Sequence, residues 1–384
     1  MKVIFDCRFV RFPRHDGISR YTAGLVEAFS KLHPVTMLIH DERQLAMLPD
    51  LPWIKSRPGH SLLEPFLPLL TLNREKPDIV FCPMQTIGYF GNNGYKLVLT
   101  VHDMVFYRMR TPPREFSPIV RLIWFLYHLS YWPERWTLNR GVATVTGSYN
   151  CEREMKEVHL AKRPLSVIRP GIEDSGIPPR DYPTAKSLVY MGTFMPNKNV
   201  ETLAKAMHFL PGYTLHLLSR IDERSRERIA ALAPDGSIVF ENGVSDERYI
   251  EVLRGATAMV SACRDEGFGI PLIEGLNEGT PLVISDIPVF HEVGGDAAIY
   301  FDQERPQAFA DAVLSMDAPG KWAELSAKAR RHAAEFSWDE SGRRLYDLLT
   351  SLAPAEDHPA STAVANDEPA PKDEPAPKDE PAPK

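Results

Sequence analysis

The strongest constraint on what this chain can become is an alternation. Short β-branched and apolar runs recur along roughly its first 350 residues, each followed by a longer amphipathic stretch. Parallel strands need a crossover between them, usually a helix, so the alternation predicts βαβ units and a parallel sheet. KVIFD, VTMLIH, DIVFCP, KLVLTVHD and ATVTGS read as strands of a first series. From Gly17 onward, Ile18, Tyr21, Leu25, Phe29 and Leu32 recur at helical spacing and predict the first helix, through SRYTAGLVEAFSKL. A second series, SLVYMG, TLHLLS, SIVFEN, ATAMVSA, PLVISD and AAIYFD, begins after the proline-rich stretch IRPGIEDSGIPPRDYPTAK. The chain therefore reads as α/β, two similar parallel-sheet halves joined near residues 163–186, and its 384 residues suffice for two domains.

Composition removes several function classes. A formal net charge of −7 argues against a nucleic-acid surface, which needs a basic excess or stripe. Cys7, Cys82, Cys151 and Cys263 stand far apart, in no metal-ligand spacing, and read as small buried side chains of a reducing compartment. The opening MKVIFDCRF reaches Asp6 too soon for a signal peptide, and no run of about 18 apolar residues marks a membrane span. IVRLIWFLYHLSYWPERW, residues 119–136, reads first as a core-facing helix with snorkelling polar residues, and second as a partly exposed aromatic face touching lipid. Three copies of DEPAPK close the chain. They carry too little apolar surface to offset the entropy of ordering, so 353–384 is expected to be a disordered tail. Just before it, FSWDESGRRLYDLLTSL predicts a last helix at about 338–352, with Ser337 or Asp339 near its start.

RDEGFGIPLIE, residues 264–274, holds the densest information. The preceding ATAMVSA should end at the carboxyl edge of its sheet, where ligands of open α/β sheets collect. Gly267 and Gly269, around Phe268, let the backbone approach a ligand closely. Pro271, after Ile270, suits the first turn of a helix, whose amides then offer a phosphate site. Glu274 would lie a turn inside that helix and Glu266 in the loop before it. Their spacing makes no close acid–base pair; the two carboxylates look arranged to hold different parts of one elongated ligand. On this segment alone, two solvated glutamates explain the residues as well. A dinucleotide fingerprint is disfavoured, because Leu272 takes the place of its third small residue.

EGFGIPLIE resembles the E-x(7)-E motif of retaining glycosyltransferases of the GT-B fold, family four. The resemblance continues in order through DGISRYTAGL, VHD, VIRPGI, YMGTFMPNKNVETLAKAM, SDIPVFHEVGGDAAIYFD and FSWDES, covering roughly residues 1–350. It implies two Rossmann-like domains facing a cleft: an acceptor domain over 1–165, joined by the helix at about 338–352, and a nucleotide-sugar donor domain over 166–337. Carried over residue by residue, it assigns Glu274 to the ribose hydroxyls of the nucleotide. Glu266 and the amides from Phe268 to Ile270 would hold the donor sugar and diphosphate, with Gly192 and Lys198 at the phosphates. His102 matches a cleft histidine near the transferred sugar, beside Asp103. Gly17 lies where the first helix opens toward phosphate or acceptor.

The chain also departs from the family. Where relatives carry an arginine, after the glycine of this element or just before the lysine, this chain has Thr193 and Asn197. A diphosphate leaving group needs more than one cation when no metal assists, which nominates Arg220. No DxD-type metal pair is expected, and no cofactor beyond the nucleotide-sugar donor. The resemblance to bacterial O-antigen mannosyltransferases makes GDP-mannose the first expectation and a UDP-hexose the second. The expected acceptor is a cell-surface glycan or a lipid-linked precursor, handled in the cytoplasm or at the inner face of the plasma membrane, with peripheral membrane contact. Two other readings stay open: a sugar-nucleotide-binding scaffold with weakened catalysis, and a GT-B epimerase.

Overall fold

A computed structural model describes residues 1–59, 69–85, 87, 94–112, 117–178, 180–183 and 185–353. The expected repeat tail lies outside the described residues. Two parallel sheets organise the remainder. The first contains β1 (Val3–Asp6), β2 (Val35–Ile39), β3 (Trp53–Lys55), β4 (Ile79–Cys82), β5 (Lys96–Val101), β6 (Ala143–Thr146) and β7 (Leu165–Val167), in the order 3-2-1-4-5-6-7. The second contains β8 (Ser187–Tyr190), β9 (Thr214–Leu217), β10 (Ile238–Phe240), β11 (Ala258–Ser261), β12 (Leu282–Ser285) and β13 (Ala298–Phe301), in the order 10-9-8-11-12-13. Central strands such as β1, β4, β6, β11 and β12 are buried at every residue. That explains why they read as continuous apolar runs: helices cover both faces of each sheet.

The helices that shape the site are α1 (Gly17–Ser30), α2 (Pro118–Tyr127), α3 (Trp132–Leu138), α4 (Tyr149–Glu157), α5 (Asp246–Gly255), α6 (Ile270–Asn277), α7 (Pro288–Gly294) and α8 (Trp338–Leu352). Ser337 caps α8, accepting from the Glu340 amide, as its position before Trp338 predicts. The apolar stripe of α8, with Leu345 and Leu349, packs into the core of the first sheet beside Leu25 and Phe29 of α1. The last helix among the described residues thus crosses back onto the first half.

Some expectations change. β3 was not foreseen, and β7 is marked only by the resemblance of VIRPGI, which begins at Val167, to a hinge strand: each has three residues at a sheet edge, too few to display a period. β7 also carries the first sheet past residue 165. The aromatic stretch at 119–136 does not form a core-facing helix. It breaks into α2 and α3, and no residue of α2 is buried. Trp124 lies against His128, the rings tilted and 4.0 Å apart, and meets Phe106 edge-on at 5.1 Å, so the aromatic side attaches the helix. The aliphatic side, Ile119, Leu122, Ile123 and Leu126, is left exposed.

Close packing of α1 on α8 depends on two glycines. A β-carbon at Gly24 would run into the Trp338 ring, and one at Gly342 would stand 2.9 Å from the Ala28 carbonyl carbon. Gly24→Ala is expected to destabilise the protein by about 1–3 kcal/mol through overpacking. Glu27→Ala, on the exposed side of α1, should change stability by less than about 0.5 kcal/mol. Denaturant midpoints of the two variants check this.

Candidate active site

In an open parallel sheet the ligand crevice forms where neighbouring strands send their connections to opposite faces. In the second sheet that place lies between β8 and β11. β8 runs out into Gly192 and Thr193, and β11 runs into the 262–269 loop and then α6. The carboxyl end of β5 brings His102 and Asp103 from the first sheet to the same place. A β-carbon at Gly267 would stand 2.5 Å from the His102 carbonyl oxygen and 2.8 Å from Asp103 Cβ. Ser148, ahead of α4, donates to the Gly267 carbonyl at 2.9 Å. The glycine loop therefore seats directly on the first half.

That seating gathers His102, Asp103, Lys198 and Glu266. Lys198 Nζ forms an ion pair with Glu266 Oε2, while Glu266 Oε1 accepts from the Gly267 amide at 3.2 Å. Burial works against the charge on Lys198, but the Glu266 carboxylate outweighs it and holds the ammonium above the ordinary lysine value. Burial pushes Asp103 up to about 6; the Val105 amide, donating at 2.9 Å, pulls the other way, and the Glu266 charge adds to the rise. His102 is lowered by burial. Its Nε2 lies 2.7 Å from the Pro83 carbonyl, an acceptor only, so Nε2 carries the proton and Nδ1 keeps its lone pair. Tyr21 of α1 meets the imidazole edge-on at 5.2 Å.

Glu274 lies elsewhere, on α6. Gly269 caps that helix with φ of +97°, a conformation suited to glycine, and Ile270 and Pro271 open its first turn. Glu274 Oε2 accepts from Tyr249 of α5 at 2.9 Å. Its Oε1 lies 3.0 Å from Arg20 Nη1 of α1, yet no described donor is aligned on it as a hydrogen bond. Burial raises its pKa, against the opposing pull of Arg20. A cavity of about 730 Å³ opens here, with Arg20, Asp246, Tyr249 and Glu274 among its walls. Lys198, Glu266 and His102 do not line it, so the two glutamates serve separate surroundings.

The remaining expected residues have definite places. Gly192 donates to Ser219 Oγ at 3.1 Å, and its missing side chain leaves room for the Tyr190 hydroxyl. Thr193 accepts from that hydroxyl through its carbonyl at 2.6 Å. Asn197 is buried and donates to the Asp265 carbonyl at 3.1 Å, tying two loops together. Phe268 is buried edge-on against Phe336. Arg220 is exposed, without an ion pair to any described residue. Gly17 is exposed too, and Asp16 ahead of it caps α1, accepting from the Ser19 amide at 2.8 Å.

Several participants escape a reading by motif. Arg20 and Tyr249 meet Glu274 only because α1 and α5 flank α6. Arg108 forms a two-point ion pair with Asp265, both N···O distances 2.5 Å, and Glu292 accepts from the first two amides of α4 at 2.9 Å each. The one available signal for Arg20 was its place in GISRY, a charge beside the buried Tyr21 on the first helix.

Two parallel sheets facing one cleft, with a glycine loop and a carboxylate-bearing helix at the second sheet's switch point, define a GT-B architecture. The chain belongs to the GT-B glycosyltransferases: residues 15–175 match Glycosyltransferase Family 4 and residues 178–332 match Glycosyl transferases group 1. Relatives include the serotype-specific mannosyltransferase WbdA of Escherichia coli, 28% identical over 44% of this chain and 22% of that protein. The O-antigen chain mannosyltransferase RfbU of Salmonella typhimurium is 30% identical over 33% of this chain and 37% of its own length. The chain thus spans well under half of these relatives. Sucrose-phosphate synthase from Thermosynechococcus elongatus shares the fold with a TM-score of 0.71 at 19% identity, over 92% of this chain and 99% of that one. Anabaena HepE, solved with UDP-glucose, shares it with a TM-score of 0.68 at 15% identity, over 91% and 100%. Among the described residues, no helix is long and apolar enough to cross a membrane.

The raised Asp103 carboxyl has a consequence for stability. The folded chain holds this proton up to about pH 6, whereas the unfolded chain releases it near 3.8, so folding stability falls as pH rises through that window. Asp103→Asn is expected to remove this fall, which the shift puts on the order of 2–3 kcal/mol. Stability of the two proteins measured from pH 4 to pH 7 should converge at pH 4 and separate above it.

Proposed function

We propose that this chain transfers a hexose from a nucleotide sugar to a hydroxyl of a cell-surface glycan or lipid-linked acceptor, with retention of anomeric configuration and without a divalent metal. The observation that carries this reading is Glu274: a half-buried carboxylate on the first turns of α6, lining a cavity of ligand size, with an oxygen that no described donor is aligned to satisfy. Two adjacent ribose hydroxyls are donors that would complete it. Near the glycine loop, Glu266 would take hydroxyls of the donor sugar, the amides of Phe268 to Ile270 would face the diphosphate, and Lys198 would exchange its bond to Glu266 for one to phosphate.

In the reaction, the anomeric C–O bond to the diphosphate breaks and negative charge collects on the departing phosphate oxygens. Fixed cations and amides stabilise that charge because they need no reorganisation when it forms. The acceptor oxygen attacks from the same face, and its proton passes to a departing phosphate oxygen. His102, with Nε2 tied to Pro83, presents an acceptor nitrogen that would position a sugar hydroxyl. No covalent nucleophile is assigned.

GDP-mannose is the first candidate donor, supported by the O-antigen mannosyltransferase relatives, and a UDP-hexose is the second, supported by the UDP-glucose bound to HepE. The exposed aliphatic side of α2, with Ile119 at 72% exposure and Leu122 at 58%, favours a lipid-linked acceptor reached at a membrane surface. A scaffold reading has one observation in its favour: neither Thr193 nor Asn197 supplies a cation, and Asn197 is occupied by the Asp265 carbonyl.

A panel of GDP- and UDP-sugars, scored by thermal shift and by slow donor hydrolysis in EDTA, tests the reading. The expected result is one nucleotide series that stabilises the protein and a donor that is turned over without metal. Glu274→Ala should raise the donor KM at least tenfold with a smaller change in kcat, and Glu266→Gln should lower kcat at least tenfold. Binding without turnover of any donor would favour the scaffold. If neither substitution alters kinetics, the site is misassigned.

A further inference from the structure

Two arginines, one from each half, meet beside Gly243. Arg14 comes from the loop between β1 and α1, on the first half, and Arg220 from the end of β9, on the second. A β-carbon built on Gly243 would stand 2.9 Å from Arg14 Nη1 and 3.0 and 3.3 Å from Cγ and Nε of Arg220. The two side chains therefore crowd one small space. Gly243 has φ of +97°, so a side chain is strained there and the space stays open. Both arginines are exposed, and neither has an ion pair or side-chain hydrogen bond to any described residue. Like charges brought together from opposite walls repel unless an anion lies between them.

We propose that Arg14 and Arg220 close from the two halves onto the donor phosphate nearest the nucleoside. The proposal rests on the donor-site reading above. Its position follows from neighbours. Three residues after Gly243 comes Asp246, which pairs with Arg20 at 3.5 Å, and Arg20 in turn stands 3.0 Å from Glu274, the ribose carboxylate of that reading. Lys198 is at the other end, beside Glu266, and serves the far phosphate. Arg220 follows Ser219, whose hydroxyl accepts from Gly192, so its backbone adjoins the turn that holds Thr193 in place of a cation. The charge missing from that turn is thus supplied by two residues, one on each half. Because Arg14 belongs to the half that does not carry the nucleotide helix, the phosphate is fully neutralised only while the halves are together. Release of the nucleotide product then requires that they part.

Calorimetric titration of the full chain with GDP, GMP and guanosine, and with UDP, UMP and uridine in parallel, tests this. Both side chains are exposed, so their replacement leaves the fold intact. In whichever series the unmodified protein binds, Arg14→Ala and Arg220→Ala are each expected to weaken the diphosphate and the monophosphate by about ten- to a hundredfold and to leave the nucleoside unchanged. Arg14→Lys should recover part of the loss. An equal loss on the nucleoside would mean that the arginines read the base, and a loss on the diphosphate alone would move them to the far phosphate; either overturns the proposal. No loss overturns it too. Glu274→Ala, expected to weaken the nucleoside as well, separates the failures: if it does so while Arg14→Ala changes nothing, only the clamp is wrong. If the unmodified protein binds neither series, the donor site itself is wrong.

Discussion

Gly267 makes the candidate site possible by having no side chain. Its α-carbon faces the His102 carbonyl so closely that a methyl group would stand 2.5 Å from the oxygen. Any other residue would hold the two halves apart by the width of a side chain. With glycine, the loop carrying Glu266 reaches the end of β5, and Asp103 comes under the influence of both Glu266 and Lys198. The Asp103 carboxyl is raised chiefly by its burial there, while the Lys198 ammonium is strengthened by Glu266 within the second half itself.

Around this glycine, polar and charged groups join the halves, with Ile270 of α6 packed against the core of the first sheet. Arg20 reaches Glu274 and Asp246, Arg108 reaches Asp265, and Glu292 meets the amino end of α4. Ion pairs as exposed as Arg20 and Arg108 contribute little individually, since water screens and competes for them. A polar junction of this kind can part and re-form, which a buried apolar one could not do without exposing its core. A further apolar connection runs through α8, whose Leu345 and Leu349 fasten that helix to the first half.

The sequence was informative where structure is periodic or glycine is obligatory. The strands of both sheets stood out as apolar runs because both faces are covered, and α1 and α8 stood out through their helical stripes. Three-residue β3 and β7 had no periodic signal for the opposite reason: no period fits in three residues. The 119–136 stretch misled because hydrophobicity reports that a face wants covering but not what covers it. Trp124 and His128 attach α2 by aromatic contact, and its aliphatic side remains outward. Within the site, Glu266, Gly267, Gly269 and Glu274 were legible as a spaced group, since they share one loop and one helix. Arg14, Arg20, Tyr249 and Arg108 were not, because each acts on a residue distant in sequence.

By itself, then, the order of residues determined two parallel sheets, a glycine loop at the edge of the second, and two carboxylates too far apart for one task. These are local properties, set by backbone freedom at glycine and by the period of apolar side chains. Tertiary structure alone decided the partners: that Lys198 meets Glu266, that Glu274 is left with an unaligned oxygen above a cavity, and that Arg14 and Arg220 converge. Charge and hydrogen bonding act through space, and the distances between these groups exist only once both sheets have folded and met.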